Sequence, residues 1–456
     1  MFGSTKAHKS YYLSTIALAG PVVISQLGHT MVQTADTMIV GHFAGTIPLA
    51  AVSLAHSVFM IVLVIGLGIS YGLTPLIAQE NGKSNFQECA KLLSNSFWIN
   101  LLSGILLFCL VYFGSMYAMA HADQDPLVVR EARPYLLLLA LSIVPLMVFN
   151  TFKQFAEGLG FTKQAMQVTI WGNVLNIVIA IILVKGMFGF PPMGIRGVGI
   201  ATLIDRILMM LVMMVYVLRS RHFKKYLEHF NFISLQLERI KSILRIGTPV
   251  AMQYVFEIGA FAGASLIAGK IGALEQASHQ VAITLAAMTY MMASGIAAAA
   301  TIKVGNSFGN NNSFRLQRFA TVSYHLVLAF MICTALIFAI FNQYLPLLIS
   351  KDVAVIHLSA QLLIIAGLFQ LFDGTQVVGL GVLRGMGDVN IPTLITFIAY
   401  WIIGLPSGYF MGVTLGMGIQ GVWYGLTLGL LTSSLLLFLR YKYIIRLQAN
   451  NHILLP

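Results

Sequence analysis

"RSRHFKKYLEHFNFISLQLERIKSILRIG", residues 219–247, is the one long polar and basic connection in a chain that is otherwise apolar from end to end. Six apolar runs precede it, near 12–40, 49–79, 94–118, 134–158, 164–185 and 195–218. Six follow it, near 242–270, 277–304, 319–340, 355–383, 391–411 and 418–440. Each is close to or above the ~20 residues that a helix needs to cross a bilayer. Composition agrees, at 58% hydrophobic and 9% charged with a mean hydropathy of +0.84, far above the soluble norm. No polar stretch is long enough to form a soluble domain with its own core. The expected fold is an all-α membrane protein of about twelve transmembrane helices in two six-helix lobes. Residues 1–218 form the first lobe, 219–241 a cytoplasmic linker and 242–456 the second lobe.

The net charge of +12 does not point to nucleic acid, because of where the basic residues fall. Lys83, Lys163, Arg219, Lys224, Arg315 and Arg440 are typical: they sit at span ends or in alternate loops. That is the positive-inside pattern, which puts those loops and both termini in the cytoplasm of a multi-pass plasma-membrane (bacterial inner-membrane) protein. Anionic membrane lipid is the secondary partner for the same charges. Opposite loops carry more acid, as in "HADQDPLVVREARP", 121–134. Cys89, Cys109 and Cys333 are scattered and suggest no disulfide framework. Basic residues precede the first apolar run, but that run continues through Pro21 as a full span, so a retained first helix is expected.

The halves are related. Pro21 pairs with Pro249 and Gly41 with Gly269, each at an offset of 228. Gly68 with Gly295, Gly82 with Gly309, Gly158 with Gly385 and Gly160 with Gly387 keep an offset of 227. With an even number of spans per half, both halves begin on the same side. The repeat is therefore parallel, about an axis along the membrane normal, and such repeats place a binding cavity between lobes. Proline at the same point of the first helix of each half bends both by leaving a carbonyl unpaired.

Ionisable groups in a span cost at least ~2.5–3.5 kcal/mol on insertion scales and face cavities. Asp36, Asp205, Arg206, Glu257 and Asp373 are such groups. On the first helix Gln26, His29, Gln33 and Asp36 fall on one face. Gln253 and Glu257 are one turn apart on the seventh, and Gln370, Asp373 and Gln376 share a face of the tenth. Asn173 and Asn176 share a face of the fifth helix, as do Thr202 and Asp205 on the sixth. Lipid cannot satisfy such stripes. An interhelical hydrogen bond of ~0.6 kcal/mol is too little to justify a buried acid, so Asp36, Glu257 and Asp373 read as a cation or proton site. Protons, or Na⁺ held by carboxylate, amide and hydroxyl oxygens at Glu257, Asp373 or Asp36, both fit. The Met and Tyr side chains of "MTYMM", 288–292, offer an adaptable apolar lining.

Several stretches together resemble a family: "QTADTMIVGH" (33–42), "MQYVFEIGA" (252–260), "ASHQVA" (277–282), "TIKVGNSFG" (301–309), "VLRGMGDVNIPT" (382–393) and "YWIIGLPSGY" (400–409). The chain resembles the multidrug and toxic compound extrusion (MATE) transporters, and within them the NorM-type branch, over about residues 10–440. The resemblance implies a two-lobed carrier that exports organic cations such as drugs and dyes in exchange for Na⁺ or H⁺, without a cofactor, and as a monomer. By motif position Asp36 matches the first-lobe acid, with Asn176 and Thr202 as its polar companions, and Glu257 and Asp373 match the second-lobe acids. Two positions depart from the pattern. Ala180 stands where the family favours an amide or acid, with Asp205 as a possible replacement, and Phe369 stands where the branch often has tyrosine.

Other classes fit less well. A flippase for a lipid-linked saccharide handles anionic pyrophosphate and calls for cationic residues in the spans, where Arg206 is the one feature in its favour. HExxH and GxxxxGK[ST] are missing from the sequence, which argues against a zinc hydrolase or an ATP-driven pump. A channel would call for symmetric rings and a filter.

Overall fold

The computed structural model describes residues 2–121, 126–228 and 230–451. The acids Asp123 and Asp125 of the outer-loop reading lie outside them. Among the described residues there are helices and no strands, and twelve helical segments are long and apolar enough to cross a membrane. The first half contains α1 (Phe2–Phe43), α2 (Thr46–Ser70), α3 (Leu73–Gly82), α4 (Phe86–His121), α5 (Pro126–Gly158), α6 (Thr162–Lys185) and α7 (Ile195–Arg219). The short α8 (Lys224–Leu227) lies in the linker. The second half contains α9 (Leu237–Ile271), α10 (Ala273–Gly309), α11 (Ser313–Ile340), α12 (Val353–Gly385), α13 (Asn390–Phe397), α14 (Leu405–Tyr409) and α15 (Gly418–Asn451). α2 with α3, and α13 with α14, each make one span. Span faces carry exposed apolar side chains such as Phe113, Trp171 and Leu266, the side chains a lipid solvent favours.

The sequence repeat is visible in the turns. Ser84 and Asn311 both adopt left-handed backbone, with φ of 59° and 52°, and so do Gly160 and Gly387, at 91° and 82°. Both pairs are separated by the offset of 227 found in the sequence. One difference has a local cause. α2 breaks before α3 at Tyr71–Gly72, whereas α10 runs unbroken through the equivalent stretch. Pro75 lacks the N–H that would bind the Tyr71 carbonyl, and its counterpart is Ile302.

The chain forms two compact units whose borders fall inside the first helix of each half. One is Ile24–Ala251; the other joins Met1–Val23 to Met252–Pro456. Val23 and Ala251 are separated by the same 228 residues as Pro21 and Pro249. In the second of these units the Tyr12 hydroxyl meets His325 Nδ1 at 2.7 Å, and the Tyr11 ring packs edge-on against Phe319. In the first, the opening turns of α9 lie against α2, where a Cβ on Gly68 would come 2.6 Å from the Ala251 nitrogen. Gly295, the repeat partner of Gly68, meets Val23 in the same manner, with a Cβ 2.9 Å from its nitrogen. Only glycine permits so close a backbone approach.

The linker is fastened to Ile24–Ala251. Arg239 grips Glu88 through two hydrogen bonds of 2.7 and 3.1 Å, the fork geometry for which arginine is suited. Asn95 accepts from the Gln236 backbone and donates to the Ser234 carbonyl. Tyr226 donates to Asn81 at 2.8 Å. α9 starts at Leu237, earlier than the run expected from 242.

The eleventh span is wound more loosely than an α-helix. Ile398–Gly404 and Phe410–Thr414 are π-helical, flanking α14. This span lies on α15 through two facing glycine rows, Gly404, Gly408 and Gly412 against Gly429, Gly425 and Gly421. A Cβ on Gly421 would sit 2.6 Å from the Gly412 nitrogen, and one on Gly429 would sit 3.0 Å from the Gly404 Cα. A Cβ on Gly425 would collide with the Gly408 backbone. Helices in lipid associate by this kind of small-residue contact.

Candidate functional site

Each unit buries a polar cluster of its own. In Ile24–Ala251 the cluster is built on α1, α5, α6 and α7. Asp36 is 4% exposed, and its Oδ1 has no hydrogen-bond partner among the described residues. Asn176 Nδ2 donates to Thr202 Oγ1 at 3.3 Å, and Thr202 donates to the Val198 carbonyl at 3.1 Å. The two expected companions are thus brought together, with Asn176 Oδ1 left without a partner. Two glycines make room for the other polar groups. A Cβ on Gly28 would lie 2.7 Å from Asn173 Nδ2, and one on Gly172 would lie 2.6 Å from Asp205 Oδ1. Asn173 thereby reaches towards α1, and Asp205 towards α6. Neither Asn173 Nδ2 nor Asp205 Oδ1 has a hydrogen-bond partner among the described residues.

Asp36 lies within electrostatic reach of Asp205 and Arg206. Arg206 makes no ion pair with an acid among the described residues: its Nη1 donates to Ser142 Oγ at 2.6 Å, and its guanidinium lies 5.4 Å from the Phe59 ring centroid. Adjacent helix residues diverge by about 100°, so Asp205 and Arg206 serve different neighbours. Gln33 turns to the Met60 sulfur at 3.6 Å rather than to Asp36. His29 stands half-buried, within reach of the charges of Lys153 and Arg206. Ala180 is fully buried and supplies no oxygen.

The second cluster lies in Met252–Pro456. Glu257 on α9 and Asp373 on α12 are buried within electrostatic reach of each other. Tyr290 of α10 donates to Glu257 Oε2 at 3.3 Å. Asp373 is 2% exposed, and its Oδ1 has no partner among the described residues. The glutamines around it hold the framework. Gln370 accepts from Thr334 at 2.6 Å, and Gln376 accepts from Tyr400 at 2.9 Å. Gln253 points away from Glu257: it donates to Thr393 at 3.0 Å and accepts from Arg384 at 3.4 Å. Phe369 packs against Trp423, with ring centroids 5.3 Å apart, so the missing tyrosine hydroxyl is replaced by aromatic contact.

The π-helical turn sets two further side chains against this cluster. Tyr400 reaches Gln376, and its neighbour Trp401 donates to the Phe256 carbonyl, next to Glu257, at 3.0 Å. Sequence reasoning missed Tyr290 as the partner of Glu257, Tyr400 as the partner of Gln376, and Ser142 as the partner of Arg206. The available signal was a hydroxyl in an apolar span, which names a polar group without naming the helix that it meets. Among the described residues no three His, Cys, Asp or Glu side chains gather as a metal site. The open oxygens of Asp36, Asn176 and Asp205, and that of Asp373 beside the Glu257 carboxylate, are instead two sets suited to a monovalent cation or a proton.

Two repeat-related helical units, each burying carboxylates that form no ion pair among the described residues, define an integral-membrane carrier. The MatE family model matches residues 21–182 and again 249–410, so that each match begins on one of the paired prolines. The multidrug resistance protein MdtK of Yersinia pseudotuberculosis serotype O:1b (strain IP 31758) is 33% identical over 436 residues, covering 94% of this chain and 95% of the relative. The chain belongs to the MatE family, and is a transporter, not an enzyme. Its fold matches a multidrug resistance MATE family transporter of the MOP superfamily solved in an outward-facing conformation, with a TM-score of 0.88, 20% identity and 97% of each chain covered. It also matches the eukaryotic MATE transporter AtDTX14, with a TM-score of 0.86, 21% identity, 95% of this chain and 96% of that one.

Proposed function

We propose that this protein is a multidrug efflux carrier that exports organic cations in exchange for Na⁺ or H⁺ by alternating access. The observation that carries the reading is Asp373, a buried carboxylate with an open oxygen beside Glu257. Asp36 provides the same open acceptor in the other unit. A cationic amphiphile and a coupling ion compete for such a charge, since only one at a time can compensate it, and that competition is negative coupling. Exporting one monovalent cation against 100 mV costs ~2.3 kcal/mol, and one entering Na⁺ or H⁺ returns the same amount. The chemical gradient of the ion is then the net drive. The relatives named as multidrug resistance proteins support the substrate class. In this reading lobes 1–218 and 242–456 rock about the linker 219–241, one chain suffices, and both termini lie in the cytoplasm.

Uptake of a fluorescent organic cation into inside-out vesicles tests the proposal. Na⁺ loaded inside, or an acidic interior, should drive uptake, and whichever gradient does so names the ion. Asp373→Asn and Asp36→Asn should each lower uptake, and the more damaging change names the coupling unit. If neither gradient moves any cation, efflux of cations is wrong, and a flippase for lipid-linked saccharide becomes the better reading.

A further inference from the structure

Arg206 has more hydrogen-bonding capacity than its surroundings use. A guanidinium presents five N–H donors; Ser142 takes one. Ser142 spends its own proton on the Leu139 carbonyl at 2.6 Å, which turns an oxygen lone pair towards Arg206 and fixes the guanidinium. No carboxylate comes within 4.0 Å of Arg206 among the described residues. Asp36 and Asp205 lie within its field, each with an oxygen that has no partner. Around Arg206, positive and negative groups are therefore held apart instead of cancelling. Separated charges in a low-dielectric interior are costly to keep.

The repeat does not require the arginine. "MGIRGVGIATL", 193–203, aligns with "MGIQGVWYGLT", 417–427, and that register sets Arg206 opposite Leu430 and Asp205 opposite Gly429. Leu430 is a fully buried apolar residue, so the fold tolerates a plain packing side chain at this point. The two charged groups are particular to the first half.

We propose that Arg206 is a substrate-specificity residue that reads a carboxylate, so that this unit takes zwitterionic amphiphiles, with the cationic nitrogen at Asp36 and the carboxylate on the open donors of Arg206. A zwitterion brings no net charge and completes both halves of the cluster at once. A plain cation completes only the acidic half. Arginine suits the task because its planar fork matches a carboxylate in two parallel hydrogen bonds. This inference rests on the proposed efflux function.

The test uses a cationic rhodamine with a free carboxylate and its methyl ester, which keeps the cation and loses the anion. Ion-driven uptake of each into inside-out vesicles is measured over a concentration range, and the ratio of acid to ester uptake efficiency is compared. Arg206→Gln should lower that ratio at least about tenfold, the loss of one charge-assisted contact. Arg206→Lys should restore part of it, because charge returns without the fork. Ser142→Ala, which frees the guanidinium, should lower the ratio in the same direction and serves if Arg206→Gln does not reach the membrane. A ratio that stays within about twofold in these variants, or a wild type that carries the ester alone, overturns the role of Arg206 and leaves efflux intact. A wild type that takes up neither dye overturns both.

Discussion

Gly421→Ala puts a methyl group on the glycine contact between the eleventh span and α15. Its Cβ would lie 2.6 Å from the Gly412 nitrogen, 2.6 Å from the Met411 carbonyl carbon and 2.7 Å from the Met411 oxygen. All three are backbone atoms, so no side chain can swing aside. Reaching ordinary contact at ~3.5–4.0 Å means parting the helices by about 1 Å, and a gap of that size forfeits up to half of each dispersion well. The loss spreads to the facing pairs Gly408–Gly425 and Gly404–Gly429. Overpacking of this kind costs roughly 2–3 kcal/mol, and in a unit of this size that corresponds to about 5–10 °C in melting midpoint. The assay is thermal unfolding of the purified protein in detergent, followed by tryptophan fluorescence. Gly367→Ala is the control, because its Cβ would meet Ala335 at 3.4–3.6 Å, and alanine gains ~0.5–1 kcal/mol over glycine in a helix. Gly421→Ala should also lower transport, since the same span carries Tyr400 and Trp401 to the Glu257–Asp373 cluster. If Gly421→Ala melts no lower than Gly367→Ala, the close approach of these two helices is wrong.

Tyr290→Phe removes the hydroxyl that donates to Glu257; it should cut the initial rate of ion-driven uptake about tenfold, from one charge-assisted hydrogen bond of ~1.5 kcal/mol, and an unchanged rate counts against the pairing. Glu88→Gln weakens the partly exposed clamp on Arg239; the expected cost is ~0.5–1 kcal/mol in low salt, shrinking in 1 M salt, where the Debye length is ~3 Å. Burial, with a smaller push from Cys89, raises the Tyr226 phenol in the linker from 10.0 to about 12. Its stabilising contribution is present below the unfolded value and is lost as pH rises through the folded one. An alkaline absorbance titration of wild type against Tyr226→Phe should show this tyrosine ionising near 12, and ionisation near 10 would refute its burial.

Span number was legible because run length in an apolar chain is a direct reading of bilayer thickness. The repeat was legible because glycine and proline mark backbone requirements: Gly160 and Gly387 hold the same left-handed turn in both halves. The polar stripes identified Asp36, Glu257 and Asp373 as buried acids, since periodicity reports which residues share one helix face. It does not report what lies across from that face. That is why Gln253, one turn from Glu257, turned out to serve Thr393 and Arg384, and why Gln33 found Met60. The π-helical winding of the eleventh span was also hidden. Its residues are as apolar as those of an α-helical span, so hydropathy carries no mark of the looser winding.

The unit border at Val23 and Ala251 also orders the making of the protein. Residues 24–251 complete one compact unit once the ribosome has passed Ala251. Tyr11, Tyr12 and Val23 are made before the linker, yet their partners, Phe319, His325 and Gly295, are synthesised after it. A stretch made before the linker thus finds its place only after much of the second half has been made. A cut in the linker would likewise release two halves, neither of which owns a complete compact unit, and each would need the other's first helix to finish folding.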